Sequence, residues 1–90
     1  MGKKISQQDY EKLRKNILKK LYSNQAFSKG HLLFERLANS IPSHLKGFVQ
    51  DVLDDLMKEG LVSFYGKTKY GDAFQLNIKK LDEIESILFS

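Results

Sequence analysis

Apolar residues recur along this chain first with a helical period, then with an alternating one, then with a helical one again. Tyr10, Leu13, Ile17, Leu18 and Leu21 fall on one helical face behind Ser6, whose side chain suits an N-cap, with Asp9 in the first turn. This predicts a first helix over about 7–22. Ala26-Phe27 has room only for a short strand. Ser28 is then a candidate cap, with Phe27 packing on Leu32 as a staple, for a second helix over about 29–40 that buries Leu33, Phe34, Leu37 and Ala38. Ile41-Pro42 interrupts it, because proline lacks the amide donor and pushes its predecessor out of helical geometry.

A third helix starts at Pro42 or Ser43, since proline suits the first helical position and serine the cap, and runs to about 59. Leu45, Phe48, Val49, Val52, Leu53 and Leu56 share its inner face. Ser43, Gly47, Gln50, Asp51, Asp54 and Lys58 lie opposite, flanked by His44 and Lys46. Gly60 stops the helix as a residue able to take positive φ. Alternation then pairs Val62 and Phe64 with Phe74 and Leu76 across a hairpin over about 61–77. Its tip, Gly66 to Gly71, has only Tyr70 to bury and is expected to project. Asn77 caps a last helix over about 78–89, striped with Leu81, Ile84, Ile87 and Leu88.

Ninety residues supply one modest core, so residues 1–90 are read as a single domain without a large buried cleft. The chain is 41% apolar and 29% charged, too hydrophobic for disorder, and has no apolar run of about 18 residues that would cross a bilayer. No cysteine is present, which removes thiolate chemistry and disulfides and suits a reducing cytoplasm, the expected location. The charged start lacks an apolar core behind it and is not read as a secretory signal. Met1-Gly2-Lys3-Lys4-Ile5-Ser6 fits a loose myristoylation pattern, although Ser6 as helix cap explains the same residues more simply.

Charge is uneven. Residues 1–40 carry nine Lys or Arg against three Asp or Glu, net +6, while residues 41–90 carry six against eight, net −2. Lys12, Lys15 and Lys19 form one stripe of the first helix, flanked by Arg14 and Lys20. A basic chain of this kind suits a polyanionic partner. Enzymatic signatures are missing: His31 and His44 stand at helix starts, and no HExxH, GxSxG or phosphate-binding loop occurs. Asp51, Asp54, Asp55 and Glu59 diverge around their helix and lack a glycine-turned calcium loop. The expectation is a protein that is not an enzyme and needs no cofactor or metal.

The order helix, strand, helix, turn, helix, hairpin, helix resembles the winged helix-turn-helix superfamily of small prokaryotic and archaeal DNA-binding regulators. Leu37-Ala38, Ile41-Pro42-Ser43 and Val52-Leu53-x-x-Leu56-x-x-Glu59-Gly60-Leu61-Val62 carry the resemblance, which covers about Tyr10 to Leu76. It implies an α+β fold with a three-helix core, a β-hairpin wing and an extra C-terminal helix. By the same resemblance, Ser43, His44, Lys46, Gly47 and Gln50 of the recognition helix enter the major groove of double-stranded DNA, Gln50 meeting adenine and Lys46 guanine or phosphate. Lys67, Thr68, Lys69 and Tyr70 of the wing contact the backbone. Asp51, Asp54 and Asp55 oppose this, and an assisting contact from the first helix or from Lys3-Lys4 is then required. The alternative is a winged helix that docks a protein or RNA. Leu81, Ile84, Ile87 and Leu88 are candidates for a homodimer interface that spaces two recognition helices one DNA turn apart.

Overall fold

The computed structural model describes residues 5–90. It is an α+β arrangement of four α-helices and a three-stranded antiparallel sheet. Helix α1, Gln7–Ser23, opens as expected, with the Ser6 hydroxyl accepting from the Asp9 amide at 3.1 Å. It ends without a glycine. Gln25, at φ 54°, takes the left-handed position, while its amide donates to the Tyr22 carbonyl and that of Ala26 to the Leu21 carbonyl. These bonds satisfy carbonyls that the helix leaves open.

The second helix is shorter than the periodicity predicts. Helix α2 is Phe34–Asn39, and Leu32–Leu33 before it form strand β1. Ser28 is not a cap, because it sits at φ 62° in the turn that precedes β1. Gly30 lies in the same turn, where an added Cβ would stand 2.3 Å from the Gln25 carbonyl oxygen, so only glycine fits. The staple between Phe27 and Leu32 has no helix to serve, and Phe27 instead makes an isolated parallel bridge to Leu76. The physical reason is long-range: Leu32 and Leu33 pair with Phe74 and Ala73 and close an otherwise open sheet edge.

The third helical segment also divides. Ser43–Phe48 is wound as a 3₁₀ helix beginning directly after extended Pro42, and α3 proper is Val49–Lys58. Ser43 is therefore the first helical residue and not the cap. Gly60, at φ 80°, ends α3 with the Leu61 amide donating to the Leu56 carbonyl and its own amide to that of Met57.

Strands β2, Val62–Thr68, and β3, Gly71–Leu76, form the hairpin, and the sheet order is β1-β3-β2. Val62 faces Leu76 and Phe64 faces Phe74, as the alternation predicts. The register then slips by one, so Tyr65 is an unpaired bulge and Gly66 faces Ala73. Asn77 caps the end segment by accepting from the Lys79 amide, and its amide group donates to the Gly60 carbonyl at 2.8 Å, tying the two ends of the hairpin. A 3₁₀ turn, Ile78–Lys80, leads into α4, Leu81–Phe89. Leu13, Ile17, Leu18 and Leu21 of α1 meet Leu37, Val52, Leu53, Leu56, Phe74 and Ile84 in one core.

Candidate nucleic-acid interface

A 3₁₀ helix has three residues per turn, so its side chains align in three rows. Leu45 and Phe48 share the inner row of Ser43–Phe48, with Leu45 buried and Phe48 packed against the core. Ser43 and Lys46 make the second row, His44 and Gly47 the third, and all four are exposed. The tighter winding thus presents every polar residue of this segment to solvent. A Cβ at Gly47 would meet nothing within 4 Å, so the protein's own packing does not require glycine there.

Gln50 is exposed on the first turn of α3, but its amide nitrogen donates to the Asp54 carboxylate at 2.9 Å. Bidentate pairing with adenine needs both ends of that amide, so this bond must open first. Two of the four acids on α3 and its end point elsewhere. Asp55 accepts from the Tyr10 hydroxyl at 2.7 Å, and Glu59 pairs with Arg14 of α1. The hydrogen bond to Asp55, then burial, raises the Tyr10 phenol above its ordinary range, and the bond to Glu59 raises Arg14. Only Asp51 and Asp54 remain fully on the outer face. In sequence Arg14 only flanks the buried face of α1, and nothing local reveals a partner 45 positions away.

The hairpin tip is the two-residue turn Lys69-Tyr70 between β2 and β3. Thr68 does not offer its hydroxyl outward as expected: Oγ1 donates to the Gly71 carbonyl at 2.8 Å and accepts from the Tyr70 amide at 3.0 Å. It shapes the turn. Lys67 and Lys69 are exposed, and the ion pairs among the described residues, Arg14–Glu59 and Lys80–Glu83, include neither. The Lys69 ammonium lies 5.7 Å from the ring centre of Tyr70, which is 73% exposed.

The bulge decides where Lys67 points. Without it, Lys67 would share the outward face of Ser63 and Tyr65; with it, Lys67 lies opposite Asp72, on the sheet face of Phe64 and Phe74 that the helices cover nearer the core. Tyr65 stays on the outer face, stacked on His31 with ring centres 4.2 Å apart and planes 14° apart. That pair links the residue before β1 to the bulge of β2, and periodicity alone gives no sign of it. No hydrogen bond or ion pair among the described residues joins Ser43–Gln50 to Lys67–Tyr70; α3, the Gly60 turn and β2 carry both on one body.

The expected dimer stripe loses a member. Ile84 is fully buried in the chain's own core, and Leu81, Ile87 and Leu88 are half-buried. The Tyr22 hydroxyl donates to Glu85 at 2.7 Å and Phe89 packs edge-on against the Tyr22 ring, so α4 is held chiefly by α1. The myristoylation pattern and the Lys3-Lys4 arm lie outside the described residues, apart from Ile5 and Ser6. Among the described residues no three His, Asp or Glu are grouped to hold a metal ion, and no helix is long and apolar enough to cross a membrane. Comparison with protein-family models, curated proteins and solved structures gives no match.

Proposed function

We propose that this chain is a winged helix-turn-helix protein that binds double-stranded DNA as a small transcriptional regulator. In this reading Ser43, His44, Lys46 and Gly47 enter the major groove, and Lys67, Lys69 and Tyr70 of the wing lie along the adjacent backbone. The observation that carries it is the bulge at Tyr65. It turns Lys67 onto the sheet face of Phe64 and Phe74, opposite Asp72, and the ion pairs among the described residues leave its ammonium unpaired. Gln50 joins the interface when its bond to Asp54 opens.

The exposed pair Asp51 and Asp54 favours a second reading, a docking module for a basic protein partner. Salt separates the two. Fluorescence anisotropy with a labelled duplex should show affinity falling steeply as salt rises, and Lys67→Ala with Lys69→Ala should lower that slope by roughly one to two units for any DNA sequence. An unchanged slope removes the wing from the interface, and absence of duplex binding at low salt favours the docking module.

A further inference from the structure

Between Glu11 and Glu35 the chain has no acidic residue, while Lys12, Arg14, Lys15, Lys19, Lys20 and Lys29 all fall there. Of these, Arg14 is spent on Glu59. Lys19 and Lys20 instead line a pocket of about 350 Å³ with Asn16 and Ser23 of α1, Asn24 just after it, and Ser40, which follows α2. That is the small end of ligand-site volumes, about 300–1,000 Å³. Asn16, Lys19, Lys20 and Ser23 stand at i, i+3, i+4 and i+7, so one face of α1 is polar at the place where it runs beside the end of α2.

Two of the six side chains lining this pocket are bonded within the chain. The Asn24 amide donates to the Lys20 carbonyl and the Ser40 hydroxyl to the Leu37 carbonyl. Lys19, Lys20, Asn16 and Ser23 have no side-chain hydrogen bond or ion pair among the described residues. A helix C-terminus ordinarily repels anions through its free carbonyls. Here those of Lys20, Leu21 and Tyr22 are already taken by Asn24, Ala26 and Gln25, which weakens that objection. No carboxylate lines the pocket.

We propose that this pocket holds a phosphate group, with Lys19 and Lys20 supplying charge and Asn16 and Ser23 supplying neutral hydrogen bonds. Its place fits a nucleic-acid backbone phosphate, and that source rests on the DNA reading above. Ser40 is three residues before Ser43, so the pocket edge lies within about 10 Å of chain from the start of the exposed 3₁₀ segment. The acids of α3 that weaken its outer face are then offset by a contact made from α1.

Amide shift mapping of the full chain tests the pocket without DNA. Titration with inorganic phosphate at constant ionic strength should move Asn16, Ser23 and Ser40 saturably, and Lys19→Met with Lys20→Met should weaken that binding about tenfold or more. Lys12→Met with Lys15→Met removes equal charge outside the pocket and should leave it nearly unchanged. Equal losses in the two double variants, or no saturable shift at these amides, would overturn the proposal. A duplex that moves the same amides in competition with phosphate identifies the source as the DNA backbone. A duplex that binds without moving them assigns the pocket to a free phosphorylated ligand, and a chain that binds phosphate but no duplex separates failure of the DNA reading from failure of the pocket.

Discussion

The two ends of the third helical segment are built for different tasks. Val49–Lys58 is α-helical and committed to the fold: Val52, Leu53 and Leu56 are buried, and Asp55 and, just beyond, Glu59 are bound to Tyr10 and Arg14 of α1. Ser43–Phe48 is wound more tightly and anchored on its inner row by Leu45 and Phe48, and it exposes every other residue. Carboxylates beside a surface proposed to read DNA look contradictory in sequence. In three dimensions half of them serve as ties to α1, on the part of the segment that holds the core together.

The α-helical half is most sensitive at Leu53. Leu53→Ala leaves a cavity in a fully buried site and should cost about 2–5 kcal/mol, read by urea or thermal unfolding. A loss below 1 kcal/mol would mean that the α-helical half is not the structural one. Tyr10→Phe removes one tie and should cost about 1 kcal/mol at neutral pH. Because the folded-state phenol is raised, its stabilising contribution is whole below about pH 10, the ordinary value, and is lost as pH rises through the folded-state value. The stability difference between the wild type and Tyr10→Phe should therefore shrink above pH 10. Tyr22, raised in the same direction by its bond to Glu85, keeps part of the alkaline decline in both proteins.

The 3₁₀ half responds most weakly, at Gly47. Gly47→Ala meets no neighbour and its φ is not positive, so it should stabilise the fold by about 0.5 kcal/mol through backbone entropy. The proposed interface predicts that duplex affinity falls in the same protein, because the added methyl lies on the segment assigned to the major groove. Raised stability with unchanged affinity would place Gly47 outside the interface.

The features readable from sequence are those set by neighbours a few residues away. Leucine spacing from Leu45 to Leu56, the stop at Gly60, the pairing of Val62 and Phe64 with Leu76 and Phe74, and the caps at Ser6 and Asn77 all appear as expected. The Gly60 turn shows the limit of such signals. Its hydrogen-bond pattern recurs at Gln25, where no glycine announces it. The start of α2 was hidden for another reason: Leu32-Leu33-Phe34 suits helix or strand, and the choice is made by β3, some forty residues later. The same distance conceals the Tyr10–Asp55 and Arg14–Glu59 contacts, which change the meaning of the acidic run. The bulge left no mark either, although it fixes the side on which Lys67 emerges. For the interface, exposure of Ser43, His44, Lys46 and Gly47 was legible, whereas the occupied states of Thr68 and Gln50 were not.

In the proposed function the 3₁₀ segment and the wing hairpin together meet duplex DNA. Amide chemical-shift mapping of the intact chain titrated with a short duplex at low salt tests this most directly. Binding through these segments gives the largest shifts at Ser43–Gln50 and Lys67–Gly71, with the outer turns of α3 around Asp54 and Lys58 little changed. Shifts centred on Asp51, Asp54 and Lys58, or none at the wing, would contradict it.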